Sequence, residues 1–171
     1  MRIAIAAVAV FASLPLLASA APAATATLRD AQGKNVGTAT LTPAEGGVKI
    51  NVTVSGVAPG LHGFHLHAIG KCEGPDFKSA GGHFNPGSKE HGLENPKGSH
   101  AGDMPNLSVG PDGSGKGEFL ARGASLDAGP GSLFPEVGTA VVLHAAADDM
   151  KSDPAGNAGA RIACGLVERK P

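Results

Sequence analysis

Gly60-Leu61-His62-Gly63-Phe64-His65-Leu66-His67 is the stretch on which the reading of this chain turns. From Phe64 to His67 apolar and imidazole side chains alternate, which is the period of a β-strand. On a strand His65 and His67 share one face, and Phe64 and Leu66 take the other. The apolar pair is expected to enter a core, leaving the imidazoles on the outer face to hold a metal ion. Val141-Val142-Leu143-His144 repeats the arrangement. With Val141 and Leu143 inward, His144 also points outward. Three histidines on two rigid strands make a sound copper site, because imidazole suits copper and strands hold ligands firmly.

Strand-like segments continue on both sides of this stretch. Thr25–Leu28, Gly37–Leu41, Val48–Val57, Leu61–Ala68, Gly117–Ala121, Thr139–Ala146 and Ala160–Glu168 are separated by turns with Gly, Asn and Pro. Ile50, Val52 and Val54 lie two apart, as in a half-buried strand. Nothing after residue 20 keeps a 3.6-residue apolar period, and 26 Gly and 13 Pro argue further against long helices. The expected fold is all-β, an antiparallel sandwich or flattened barrel in one domain. Two stretches do not fit as strands: Ile69–Pro105 and Ala147–Gly159. Loops of that length are usually functional.

The N-terminus reads as a leader. Arg2 precedes an apolar run from Ile3 to Leu17, and Ala18-Ser19-Ala20 offers the small-residue pattern of a cleavage site. The run is short for a membrane span, so no stable membrane anchor is expected. Residues 1–20 are therefore read as a signal peptide and 21–171 as the mature domain. In an exported chain the two cysteines, Cys72 and Cys164, are expected to form a disulfide; neither belongs to a CxxC pair. In the chain-entropy model the loop they close, 164 − 72 = 92 residues, contributes roughly 4–5 kcal/mol. A formal net charge of −1, with no tryptophan or tyrosine and no basic stripe, argues against nucleic-acid partners.

Six of the seven histidines fall between Gly60 and Asp103. His83, His91, His100 and Asp103 lie in the first long loop. A His₃Asp set completes a tetrahedral zinc site with no open position, as in structural zinc. That closure speaks against a zinc hydrolase, which wants an open position and a general base. A copper- or zinc-binding or buffering protein is a further reading of these residues. Spacing alone places His83 with zinc.

Four motifs together closely resemble the copper/zinc superoxide dismutases, in their bacterial periplasmic form. They are Gly60–His67, Gly81-Gly82-His83-Phe84-Asn85-Pro86, Ser99-His100-Ala101-Gly102-Asp103 and the run from Gly156 to Gly165 that holds Arg161 and Cys164. The resemblance implies a Greek-key β-sandwich and disproportionation of superoxide, the substrate, to oxygen and hydrogen peroxide. It implies copper held by His65, His67, His83 and His144, and zinc held by His83, His91, His100 and Asp103. His83 would then bridge the metals and take up a proton during turnover. Asp148 matches a carboxylate that ties a copper histidine to a zinc histidine. Arg161 matches an arginine beside the copper that attracts the anion. Cys164 matches the cysteine that pins the metal loop, with Cys72 in an insertion typical of bacterial members. His62, of opposite parity to His65 and His67, resembles a structural histidine and is not taken as a ligand. Such proteins are periplasmic and occur as monomers or homodimers. One departure stands out: the short span from His144 to Arg161 lacks an evident acidic-basic steering cluster, leaving Lys71, Lys78 and Lys151 as candidates for that role.

Overall fold

The computed structural model describes residues 24–170. The expected leader lies outside the described residues. Ten strands follow: β1 (Ala24–Asp30), β2 (Asn35–Ala44), β3 (Gly47–Val54), β4 (Gly60–His62), β5 (Phe64–His67), β6 (Leu107–Val109), β7 (Gly115–Arg122), β8 (Ala140–His144), β9 (Arg161–Leu166) and β10 (Glu168–Arg169). Each expected segment carries a strand. β6 was not anticipated, because Leu107-Ser108-Val109 is too short to show a period. The only helical turn among the described residues is Lys78–Ala80.

The pairings are all antiparallel, and the hydrogen-bonded order is β4-β6-β7-β3-β2-β1-β9-β8-β5, with β10 beside β1. The two ends of this order, β4 and β5, are separated in sequence by Gly63 alone. The sheet therefore curls into an almost closed barrel. Leu61–Ala68, expected as one strand, is in fact two strands at opposite ends of the sheet. Gly63 makes the junction: its N–H donates to the Ala146 carbonyl at 2.9 Å, and its carbonyl accepts from His144 N–H at 2.8 Å.

Within β3, Val48, Ile50, Val52 and Val54 are buried while Asn51 and Thr53 are exposed. β1 and β7 show the same alternation, with Ala24, Ala26 and Leu28, and Phe119 and Ala121, turned inward. These side chains meet Phe64, Leu66, Val141 and Leu143 from the other wall in one core. The Phe64 and Phe119 rings lie 5.3 Å apart, tilted by 35°. Each of the larger side chains among them, Val, Leu, Ile or Phe, contributes about 1.5–3 kcal/mol on leaving water.

β5 and β8 differ, since every residue in both is buried. Three long connections leave the barrel. Two are the expected ones, after β5 and after β8. The third lies between β7 and β8; Arg169 stacks on its Phe134 ring at 4.0 Å and donates to the Leu126 carbonyl.

Candidate metal centre

β5 pairs with β8 in the register Phe64↔Leu143, His65↔Val142, Leu66↔Val141 and His67↔Ala140. Opposed residues of antiparallel strands share a face. Phe64, Leu66, Val141 and Leu143 enter the core, and His65 and His67 take the other face, as the alternation predicts. His144 follows at a register shift between β8 and β9. That face does not meet solvent, contrary to expectation: His65 and His67 are fully buried and His144 is 3% exposed. The cause is the first loop, which folds back over the strands. Phe77 and Ala80 pack on Ala140, Val142 and Cys164 in a small second core. The same loop runs along the free edge of β5, where Phe84 N–H donates to the Leu66 carbonyl and Leu66 N–H to that of Gly102. This brings His83 opposite His67 and Asp103 opposite His65.

Two groups of ligand atoms result. His65, His67, His83 and His144 form one, and His83, His91, His100 and Asp103 the other, each within 4.8 Å. In the first group His65 Nδ1 and the Nε2 atoms of His67, His83 and His144 are buried without a hydrogen-bond partner. Four such orphans in one place are costly unless an ion takes them. The opposite nitrogens of three are satisfied. His65 Nε2–H donates to Asp148 Oδ2 at 2.7 Å, His67 Nδ1–H to the Gly81 carbonyl at 2.9 Å, and His144 Nδ1–H to the Gly159 carbonyl at 3.3 Å. These bonds fix the tautomers and turn a lone pair toward the shared space. A four-nitrogen set of this kind suits copper.

In the second group His83, His91 and His100 Nδ1 lie 2.8, 3.0 and 3.2 Å from Asp103 Oδ1, and His100 Nδ1 is 3.4 Å from His83 Nδ1. Ligand atoms about 2.0 Å from a tetrahedral zinc stand about 3.3 Å apart, so the spacing fits that ion. Asp103 Oδ2 is held by the N–H groups of Gly92 and His100, both at 2.9 Å. His83 differs from the other histidines: one nitrogen faces each group. Spacing gave no sign of this, because it arises where the loop crosses β5.

Asp148, 4% exposed, joins the groups, accepting from His65 at 2.7 Å and from His91 Nε2–H at 3.1 Å. Gly156, at φ +64°, closes over it. A Cβ there would overlap Asp148 Oδ1 and His91 Nε2. Asp149 and Asp153 also hold the loops in place. Asp149 accepts from Lys151 and Ser152 N–H and from the Asn157 amide, folding the second loop. Asp153 accepts from His91 N–H at 2.6 Å.

Burial, with the neighbouring His83, lowers His67 to about 2. Burial also lowers His83 to about 4, despite its bond to Asp103, and with His65 lowers His144 to about 3. These imidazoles are neutral at ordinary pH, the form that binds metal. His91 goes the other way. Burial opposes, but bonds to Asp103 and Asp148 raise it to about 9. Both carboxyls lie well below their ordinary range because, against burial, those hydrogen bonds hold them ionised.

Arg161 donates to the carbonyls of Phe77 (2.7 Å) and Gly81. Gly81 thus orients both Arg161 and His67. Half-buried Arg161 lines an open depression with Pro75, Asp76, Lys78, Gly159 and Ala160. Cys72 and Cys164 form a disulfide, securing the loop to β9. His62 is no ligand: its ring nitrogens lie 2.7 and 2.8 Å from the carbonyls of His144 and Ala58. Two of the steering candidates have partners, Lys78 with Asp76 at 2.9 Å and Lys151 with Glu94 at 3.0 Å.

Comparison with known proteins identifies the family. The family model described as copper/zinc superoxide dismutase matches residues 35–167. "Superoxide dismutase [Cu-Zn] 1" of Aquifex aeolicus is 50% identical over 139 residues, covering 80% of this chain and 82% of that one. A crystal structure of a SOD-like protein from Bacillus subtilis superposes with a TM-score of 0.80 at 42% identity, covering 83% of this chain and 96% of the other. The Cu/Zn superoxide dismutase from Brucella abortus gives 0.67 at 32% identity, covering 84% and 98%. With both ligand groups in place and this match along most of its length, the chain belongs to the copper/zinc superoxide dismutase family.

Proposed function

We propose that His65, His67, His83 and His144 hold copper, that His83, His91, His100 and Asp103 hold zinc, and that Arg161 draws the substrate to the copper. The activity is disproportionation, in which two superoxide anions and two protons give oxygen and hydrogen peroxide. The observation that carries the residue assignment is the set of four buried, unpartnered imidazole nitrogens beside the Asp103-centred group. Copper, when bound, supplies one-electron exchange, and zinc is redox-inert.

The chain's own residues do the rest. His83 Nε2 has no other protein partner, so it is the atom placed to take up a proton and pass it to the reduced substrate. Its Nδ1 stays anchored in the zinc group and keeps the ring in position. Asp148 fixes the orientation of His65 and His91 together. Arg161 is clamped at two loop carbonyls, and its guanidinium keeps its charge at all working pH values. Fixed in this way, it raises the local concentration of a small anion and aims it.

Residues 1–20 would act as the export signal, delivering residues 21–171 to the periplasm, where the Cys72–Cys164 bridge is stable, as a monomer or homodimer. Among the described residues no helix is long and apolar enough to cross a membrane. The test is reconstitution. One copper and one zinc per chain are expected by elemental analysis, with superoxide consumption that a copper chelator abolishes. Full loading of both metals without superoxide consumption would favour a metal-buffering protein instead.

A further inference from the structure

Asn106 lies outside both ligand groups, yet it is the one side chain that grips the backbone of Asp148. Its Oδ1 accepts from Asp148 N–H at 2.8 Å, and its Nδ2–H donates to the Asp148 carbonyl at 2.9 Å. Neither Asp148 group has another hydrogen-bond partner among the described residues. A carboxamide offers a donor and an acceptor side by side, as a peptide unit does, and only Asn and Gln have that pair. Asn106 stands three residues after Asp103 and directly before β6. The segment that delivers the carboxylate of one metal group thus also sets the position of the carboxylate that joins both groups.

We infer that Asn106 is a positioning residue for the zinc group and, through His65, for the copper group. The inference rests on the metal assignment above. The chain of contacts runs from the Asn106 amide to the Asp148 backbone, and from the Asp148 carboxylate to His65 Nε2 and His91 Nε2. His91 depends more heavily on this chain. It belongs to a loop, and its bond to Asp148 is the longer at 3.1 Å. His65 belongs to β5, which is held by β8. Releasing Asp148 therefore disturbs His91 first. Partners behind metal-ligating histidines typically matter tenfold to a hundredfold in affinity.

The test compares wild type, Asn106→Ala and Asn106→Asp, all with the disulfide intact. Asn106→Asp can still accept from Asp148 N–H but cannot donate to its carbonyl. Zinc affinity of copper-free protein is measured by chelator competition, and the geometry of the group is read from the visible spectrum after cobalt is substituted for zinc. Asn106→Ala is expected to weaken zinc roughly tenfold or more and to shift the cobalt bands. Asn106→Asp is expected to fall between it and wild type. Asn51→Ala, on the exposed face of β3, is the control and should change neither readout. If Asn106→Ala does not fold, Asn106→Asp carries the test alone. Wild-type zinc affinity with an unshifted cobalt spectrum in a folded Asn106 variant overturns the inference. Wild-type protein that takes up no zinc overturns the metal assignment itself, and the inference with it.

Discussion

The wall formed by β1, β2, β3 and β7 and the wall formed by β5, β8 and β9 share one core but face different worlds on the outside. On the first wall water covers the outer face, so Asn51 and Thr53 stay exposed between buried neighbours, and Glu118 is exposed too. On the second wall protein covers it, so His65, His67, Val142 and His144 are as buried as the core beneath them. A strand buried on both faces has no solvent to satisfy its polar groups. Each must find a partner or an ion. The four unpartnered imidazole nitrogens all lie on the second wall and its covering loop. Polarity on the first wall is a surface property, whereas on the second it is a binding site.

The largest break in this comparison comes from His65→Ala. It should remove copper binding and lower superoxide consumption by a thousandfold or more, while Asn51→Ala leaves both unchanged. Metal analysis and pulse radiolysis on the two variants decide it. If His65→Ala keeps copper and rate, the second wall is not the copper site.

Cys72→Ser is next. Freeing the covering loop should cost roughly 4 kcal/mol in a chemical denaturation of metal-free protein. A loss below about 1 kcal/mol would mean that the small core around Phe77 and Ala80 holds the loop unaided.

The third concerns acid. In metal-free protein His67, His83 and His144 are lowered to about 2, 4 and 3 by burial, whereas unfolded histidine titrates near 6.5. Below pH 6.5 the unfolded chain therefore binds more protons. Stability should fall from about pH 6.5 toward pH 4, because protonation of the unfolded chain draws it away from the neutral, buried imidazoles. His91 is raised to about 9, so its contribution is complete below pH 6.5 and is lost as pH rises through 9. Metal-free protein should thus be most stable near pH 6.5. A stability flat from pH 4.5 to 9 would show that the second wall opens to water without its ions.

Arg161→Gln has the smallest effect of the four. Both metals should stay bound, since the guanidinium is no ligand, and the bimolecular rate should fall about tenfold, equivalent to about 1.4 kcal/mol. An unchanged rate at full metal content, across ionic strengths, would remove Arg161 from substrate guidance.

Much of this molecule was legible in its sequence, and the limits follow the same two walls. Alternation at Ile50, Val52 and Val54 marks a strand because solvent reads out every second residue. Alternation from Phe64 to His67 also gave the correct faces, but not the burial, because the covering comes from residues far along the chain. The ligand types were visible in the crowding of histidine. The double role of His83 came from the family resemblance and not from spacing, since it depends on a crossing that places one ring between two groups. Backbone carbonyls at Phe77, Gly81 and Gly159 orient Arg161, His67 and His144, and a carbonyl carries no residue-specific signal. Asn106 was missed for a related reason: it addresses the main chain of Asp148, so nothing in the partner's side chain points back to it. The ion pairs of Lys78 and Lys151 were hidden because surface lysines find neighbours that only the folded loops supply.

Gly63 has a consequence for the order in which the protein is made. It carries the chain in one residue from one end of the sheet to the other, so His65 and His67 emerge early while the strand they pair with, β8, is synthesised more than 70 residues later. Arg161 and Cys164 follow later still. Pairings this distant are slow to form, because loop closure must come before they contribute. A nascent chain thus holds its first two histidines with no site to put them in. Metal uptake belongs to the finished molecule, after the last long strand has been delivered, and a chain that stops before β8 has no copper group to fill.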